Sequence, residues 1–234
     1  MEYNALLRKL PIGIQTFEKL RKENYLYVDK TELIWKMAFA SNPYFLSRPR
    51  RFGKSLLLST FEAYFEGKKE LFEGLAIEKM ETEWKKYPVL HLDLNAKKYE
   101  TPADLIAMLN QTLEKWEIVY GNEKKDRSPE ERFAYVIERA YEQAGCGVVV
   151  LVDEYDKPLL QALDNDALLE DYRKTLKAFY GVLKSADRYL RFAFLTGVTK
   201  FSQVSVFSDL NQLNDISLDY SYATVCGITR TELV

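Results

Sequence analysis

Three polar stretches of the chain carry residue types that bind phosphate or activate water. The first is the basic stretch SRPRRFGKS at residues 47–55, which ends in Gly53, Lys54 and Ser55. In a phosphate-binding loop the glycine lets the backbone approach a phosphate, the lysine reaches the β and γ phosphates, and the serine hydroxyl binds Mg²⁺. The apolar helical run that follows fits this motif, because the first N–H groups of a helix are free to bind an anion. The triplet alone is equally compatible with a basic turn before a surface helix.

The front of this loop departs from the usual pattern G-x-x-x-x-G-K-[ST], because position 48 is Arg48 instead of glycine. Pro49 favours an extended backbone at residue 48, so we expect a more open loop in which arginine side chains replace some backbone N–H contacts to phosphate. Two alternatives stay open: a degenerate loop that binds without hydrolysis, and a basic patch that contacts a nucleic-acid backbone. The residues predicted to bind the nucleotide are Arg48, Arg50, Arg51, Phe52, Gly53, Lys54, Ser55 and Leu56.

The second stretch is VVVLVDEYDKP at 148–158, an apolar run that ends in acidic residues. Asp153 is predicted to hold Mg²⁺ together with Ser55, and Glu154 to act as the general base that polarises an attacking water. An acidic turn after a strand is also common in soluble proteins. However, this pair follows Lys54 by 99 and 100 residues, with strand and helix units between. The two motifs together therefore predict a nucleoside-triphosphate site in which Lys54 and Glu154 are catalytic.

The third stretch is RFAFLTGVTKF at 191–201, a strand pattern with a polar end. A threonine at this place can contact the γ-phosphate or the attacking water, and Lys200 can add positive charge. We predict this catalytic role for Thr196 and Thr199 as a pair. The alternative is an ordinary polar strand end.

Strands and helices alternate along the chain and carry these stretches. Helices are predicted where apolar residues recur with helical spacing and a cap or a terminating glycine is present. A capping box of Ser128 and Glu131, for example, precedes a helix that Gly145 terminates. The predicted helices are 31–41, 55–67, 101–117, 128–145 and 166–186. The predicted strands are 42–47, 87–95 and 189–201, and the stretch 147–158 is predicted as a buried strand that ends in acidic residues.

This order predicts an α/β fold with a mostly parallel sheet and helices on both faces. The run VVVLV at 148–152 is apolar at every position, as expected for a central strand covered on both sides. Ligands of such sheets bind beyond the carboxyl ends of the strands. Because all three polar stretches follow predicted strands, we expect them at one edge of the sheet.

Composition limits the classes of function. The chain has 234 residues, is 47% hydrophobic and has a formal net charge of −2, so it can bury a core and has no overall attraction to nucleic acid or to an anionic membrane. No signal peptide or membrane span is visible, and Cys146 and Cys226 are predicted to be buried free thiols. A cytoplasmic location is the simplest interpretation.

The chain resembles the AAA-ATPase-like family of bacterial proteins. The matching stretches cover most of the chain, and the family's own loop reads like RPRRFGKS, so Arg48 is a feature of the family. The stretches are LPIGIQTFEKLRKENYLYVDKTELI (10–34), FLSRPRRFGKSLLLSTFEAYFEGKKELFEGLAI (45–77), YPVLHLDL (87–94), VVVLVDEYDKPLL (148–160) and RFAFLTGVTKFSQVSVFSDLNQLNDISL (191–218).

The resemblance implies a P-loop NTPase-like domain over residues 1–225, with an N-terminal signature segment at 10–34 and a preference for ATP. In full-length members of the family a lid and usually a nuclease-like domain of the PD-(D/E)XK type follow, and neither is expected in full within residues 1–234. Residues 226–234 are predicted to begin that next part, because Thr229 and Glu232 resemble a capping box that opens a new helix. The Asp29-Lys30-Thr31 segment is part of the family signature, and its role is open.

The sequence therefore predicts a domain that binds ATP with Mg²⁺ and hydrolyses it slowly. One alternative is a nucleotide switch without hydrolysis that controls a C-terminal nuclease-like domain. Another is a nucleic-acid-binding module that uses the arginines of the basic loop. The oligomeric state is left open.

Overall fold

The computed structural model describes residues 8–40, 42–200, 206–207, 210 and 212–233. Ser41 at the end of one predicted helix, Phe201 at the end of one predicted strand, and the last residue of the predicted C-terminal segment lie outside these residues. None of the helices in the described ranges is long and apolar enough to cross a membrane.

The described residues contain a parallel sheet of five strands in the order β2-β3-β4-β1-β5. The two end strands lie at opposite edges, and β4 lies between β1 and β3. The α/β class and the parallel sheet predicted from the sequence are confirmed. The strands are β1 (Pro43–Ser47), β2 (Val89–Asp93), β3 (Val148–Asp153), β4 (Leu190–Gly197) and β5 (Asn214–Asp215).

One predicted helix begins and ends at its sequence signals. The Ser128–Glu131 capping box opens its helix and Gly145, in a left-handed conformation, ends it, as predicted. The two shortest helices and the short strand β5 were not predicted. The helices are α1 (Phe17–Lys22), α2 (Thr31–Ala40), α3 (Lys54–Phe65), α4 (Pro102–Tyr120), α5 (Pro129–Ala144), α6 (Lys157–Gln161) and α7 (Asp166–Ser185).

Helices cover both faces of the sheet. Every residue of β3 is buried, because side chains that alternate along the strand pack into two separate cores. Val148, Val150 and Val152 face the core formed with α4, α5 and α7. Val149 and Leu151 face the core formed with α2 and α3. The two cores fix the sheet from both sides and so fix where its strands end.

The thiols differ from the prediction at one position. Both cysteines are free, but only Cys226 is buried, whereas Cys146 is half-buried. Cys146 follows the glycine that ends α5, where the chain turns into β3 near the surface.

Candidate nucleotide-binding site

The three polar stretches meet at one edge of the sheet. Ser47 at the end of β1 pairs with Gly197 at the end of β4, and Val152 near the end of β3 pairs with Leu195 of β4. The basic loop and the acidic turn therefore lie on either side of the end of β4. This arrangement follows from strand order, which short-range sequence patterns do not specify.

Lys54 is the first residue of α3, and its side chain is buried with 4% of its surface exposed. The preceding Gly53 has φ +90°, a conformation that disfavours side chains and sends the chain into the helix. The Lys54 ammonium donates to the carbonyl oxygens of Arg48 at 3.0 Å and Pro49 at 3.2 Å. The lysine therefore lies back over its own loop, where a phosphate oxygen can replace a carbonyl as acceptor. Ser55 and Leu56 follow in the first turn of α3 and are half-buried.

Arg48, in the place of the usual glycine, joins three strand ends. Its backbone N–H donates to Gly197 O at 3.1 Å. Its guanidinium Nη1 donates to Ser47 O at 3.0 Å and to Ser217 O at 2.6 Å, just after β5. The Ser217 hydroxyl in turn accepts from the Ser47 N–H at 2.8 Å. A glycine would not supply the guanidinium contacts, so this arginine has a structural role. Its contact with phosphate stays a prediction.

The middle of the basic loop is exposed. Arg50, Arg51 and Phe52 all face solvent, and 46% of Phe52 is accessible. Arg51 has φ +64°, which is unusual for a residue with a side chain. The two arginines are therefore presented at the surface of the loop, available for an anionic ligand.

The acidic pair lies beside β4. Asp153 is buried with 5% of its surface exposed, and its Oδ1 accepts from the Thr196 hydroxyl at 2.7 Å. Glu154 has φ +52°, and its N–H lies 3.4 Å from Thr196 Oγ1. Burial raises the pKa of the Glu154 carboxyl above its usual value, and the positive charge of Lys54 opposes that shift. The structure thus brings Lys54, Glu154 and Thr196 together in one place.

Thr199 has a different environment from Thr196. Its N–H and hydroxyl donate to Asp156 Oδ2 at 2.7 Å and 2.9 Å, and its carbonyl accepts from the Tyr155 hydroxyl at 3.0 Å. Lys200 forms an ion pair with Asp215 at 2.7 Å. Thr199 is therefore tied to the turn after β3, and the catalytic role predicted for it stays a prediction.

Sequence reasoning missed Asp156, which is buried with 1% of its surface exposed. Besides Thr199, its carboxylate accepts from the Val198 N–H at 3.1 Å. A Cβ on Gly197 would lie 2.5 Å from Tyr155 Cδ1 and 3.0 Å from Asp156 Oδ1, so only glycine fits there. The signal was present: a third acid in DEYDKP and a glycine inside a polar strand end. Neither pattern says that the two turns pack on each other.

In the Asp29-Lys30-Thr31 segment, Asp29 and Lys30 make contacts with different parts of the chain. Asp29 Oδ1 accepts from the Thr31 N–H at 2.8 Å and its Oδ2 from the Ala76 N–H at 2.7 Å, so Asp29 fixes the start of α2. Lys30 is buried with 8% exposed, and its ammonium contacts Glu232 at 2.5 Å.

Ser55 and Asp153 are suited to Mg²⁺, which usually takes one or two protein oxygens and completes its shell with water and substrate phosphates. No group of three or more histidine, cysteine or carboxylate side chains among the described residues has metal-binding geometry. Binding of Mg²⁺ by Ser55 and Asp153 therefore stays a prediction.

A polar cleft of about 500 Å³ lies elsewhere, between α4 and α5. Its buried charges are already paired, because Arg132 makes two 2.7 Å hydrogen bonds to Glu117. The chemistry-bearing residues are at the strand ends, so we place the candidate site there.

Comparisons with known proteins agree with the resemblance. A family model described as "Predicted AAA-ATPase" matches residues 11–207. The chain is 42% identical over 227 residues to a protein of Azotobacter chroococcum mcd 1 described as an uncharacterized protein in the vnfD 5′ region. The alignment covers 97% of the chain and 44% of the relative, so the chain spans less than half the length of that protein. The domain boundaries at 225 and 226 stay predictions.

Proposed function

The chain belongs to the AAA-ATPase-like family, which indicates nucleotide binding, and from this premise we propose that it binds ATP with Mg²⁺ and hydrolyses it slowly. The observation that carries the proposal is that Lys54, Asp153 and Glu154 meet at one edge of the sheet, where Thr196 bonds to both acids. Elements far apart in the sequence supply these residues, and a lysine beside acidic residues is the combination that phosphoryl transfer uses.

Binding rests on positive charge and backbone N–H groups. Lys54 exchanges its carbonyl acceptors for oxygens of the β and γ phosphates, and the first N–H groups of α3 face the phosphates. Arg50 and Arg51 add charge from the exposed side of the loop. Ser55 and Asp153 would hold Mg²⁺, which neutralises phosphate charge when bound.

Hydrolysis rests on Glu154. Its carboxylate accepts a proton from water as the water oxygen attacks the γ-phosphorus and the bond to the β,γ-bridging oxygen breaks, giving ADP and phosphate. The Thr196 hydroxyl holds Asp153 and lies next to the Glu154 N–H, so it orients both acids.

Replacing Lys54 by alanine tests binding. We expect calorimetry with Mg-ATP to show an affinity loss of about 100-fold, because a charged hydrogen-bond donor is removed from the phosphates. The matched control is Lys36→Ala, since Lys36 is exposed on α2 and pairs with the exposed Glu32 at 2.6 Å. Equal affinity in the Lys54 variant and the wild type would contradict the proposed site.

Replacing Glu154 by glutamine tests hydrolysis. We expect unchanged ATP binding and turnover reduced by about 100-fold or more, because the amide cannot accept the proton. In the wild type, burial raises the pKa of Glu154, so the carboxyl loses its base form earlier than an ordinary carboxyl as pH falls. Turnover should therefore decline on the acid side at a higher pH than an ordinary carboxyl would give. Normal turnover of the variant would eliminate Glu154 as the base.

The exposure of Arg50 and Arg51 favours nucleic-acid binding as a second candidate function. It predicts binding to DNA that weakens steeply with salt, needs no nucleotide and survives Lys54→Ala. Loss of DNA binding in Arg50→Ala/Arg51→Ala would support it, and absence of binding at low salt would eliminate it.

A further inference from the structure

The polypeptide after β5 returns to the basic loop. We define residues 226–232 as the C-terminal turn. The backbone nitrogen of Gly227 lies 4.0 Å from the position that a Cβ on Gly53 would take. A Cβ on Gly227 would lie 3.5 Å from two ring atoms of Phe52. The C-terminal turn therefore lies directly against the loop predicted to bind phosphate.

Glu232 anchors this turn to the start of α2. Its Oε1 contacts the Lys30 ammonium at 2.5 Å, and its Oε2 accepts from the Thr229 N–H at 2.7 Å. The Lys30 side chain is 9% exposed and the Glu232 side chain 29% exposed. The Lys30 ammonium holds the pKa of Glu232 down at about 2, so the carboxylate is charged at every physiological pH.

The positive charges of Lys30 and Lys54 both affect Cys226, the first residue of the C-terminal turn. Burial raises the pKa of the Cys226 thiol to about 12, and the charges of Arg48, Lys54 and Lys30 all oppose that shift. The approach of Gly227 to Phe52 and the ion pair of Glu232 with Lys30 connect the phosphate loop to Lys30 through this one short turn. A buried ammonium needs an anion or several acceptors. Lys54 has two loop carbonyls, whereas Lys30 has a carboxylate carried by a surface turn.

We propose that Lys30 is a second phosphate-binding lysine of the site and that Glu232 competes with the nucleotide for it. The proposal rests on the proposed ATP binding. An ammonium carries three donors, no acceptor and a compact charge, so it matches a phosphate oxygen better than a nucleotide base. Because the competition is reciprocal, bound nucleotide loosens the C-terminal turn by the same factor by which the turn weakens nucleotide binding.

Glu232→Gln is the direct test, since it removes the competing charge from an accessible side chain and leaves the phosphate loop intact. We expect Mg-ATP to bind about tenfold more tightly than to the wild type, and Lys30→Met to bind about tenfold more weakly. The double variant should match Lys30→Met, because the gain from Glu232→Gln requires the lysine. Glu32→Gln is the matched control, as it neutralises an exposed ion pair on α2.

Binding of tripolyphosphate with Mg²⁺ distinguishes a contact of Lys30 with the phosphates from a contact with the nucleotide base. If Lys30 binds the phosphates, Glu232→Gln should tighten tripolyphosphate binding by the same factor as ATP binding. A gain for ATP without a gain for tripolyphosphate would overturn the assignment of Lys30 to the phosphates.

The labelling rate of the Cys226 thiol measures how accessible the C-terminal turn makes this side chain. In a Cys146→Ser background, Mg-ATP should increase the labelling rate of Cys226, and Glu232→Gln should increase it without nucleotide. Unchanged affinity and labelling in Glu232→Gln, with Lys54→Ala still abolishing ATP binding, would overturn this inference and leave the proposed function intact. No ATP binding by the wild type or by Glu232→Gln would overturn both.

Discussion

The turns after β3 and β4 pack against each other in the interior, whereas the loop after β1 reaches solvent. In the first region, which we call the acidic side, Tyr155 and Asp156 are at most 1% exposed, and their hydrogen bonds run from one turn to the other. In the second, the basic side, Arg50 and Arg51 are exposed, and buried Lys54 bonds only to carbonyls of its own loop among the described residues.

The two sides differ in how far their functional side chains are fixed before a ligand binds. On the acidic side, hydrogen bonds from Thr196 Oγ1 to Asp153 and from the Glu154 N–H to Thr196 hold this part of the turn in place before ligand binds. On the basic side, Arg50 and Arg51 are exposed while the Lys54 ammonium is buried against its own loop, so a bound phosphate would have to bring these charges together. Substitutions on the acidic side should therefore alter folding stability, while those on the basic side should alter affinity.

The largest effect is expected from Gly197→Ala. The added methyl would lie 2.5 Å from Tyr155 Cδ1, so the two turns must separate, at a cost of about 3 kcal/mol in the free energy of unfolding. Gly181→Ala is the control, because in the described part of the chain no side chain or other segment comes within 4 Å of its Cβ position inside α7. That variant should be stabilised by up to about 1 kcal/mol. Urea unfolding measures both, and equal stabilities would contradict tight packing of the turns.

Asp156→Asn should have the next largest effect. The amide keeps one acceptor oxygen but replaces the other by a donor that faces backbone N–H groups of Val198 or Thr199. We expect a loss of about 2 kcal/mol in the free energy of unfolding and slower turnover with little change in ATP affinity. Asp164→Asn, at an exposed position, should leave the unfolding curve unchanged. Wild-type stability in Asp156→Asn would show that the charge is dispensable.

The contrast between local patterns and contacts made across the fold explains which features could be predicted from the sequence. The apolar run of β3 and the glycine-lysine-serine triplet are local patterns, and each identified its element and the expected strand end. The contacts of Asp156 and Arg48 join residues from different strands, and no local pattern specifies them. Strand order decided both, since β4 had to lie between β1 and β3 before Thr196 could bond Asp153.

The ion pair of Lys30 and Glu232 joins residues that are 202 positions apart in the sequence. The sequence indicated a capping box at Thr229 and Glu232, and the hydrogen bond from Thr229 is present. The same carboxylate also bonds Lys30, because the chain returns across the sheet edge. A capping signal predicts the local partner of a side chain, here Thr229 for Glu232. It does not predict a second partner that the fold brings from a distant part of the sequence, here Lys30.

The smallest effect on stability is expected from Arg50→Ala/Arg51→Ala on the basic side. Both side chains are exposed, so the free energy of unfolding should change by less than about 0.5 kcal/mol. Mg-ATP affinity should nevertheless fall by a factor of about five, and the loss should shrink at high salt because exposed charges are screened. Lys124→Ala/Lys125→Ala removes the same charge from another exposed segment and should leave affinity unchanged. If the arginine variant lost stability and kept its affinity, the basic loop would be a packed structural element like the acidic side, and the distinction between the two sides would fail.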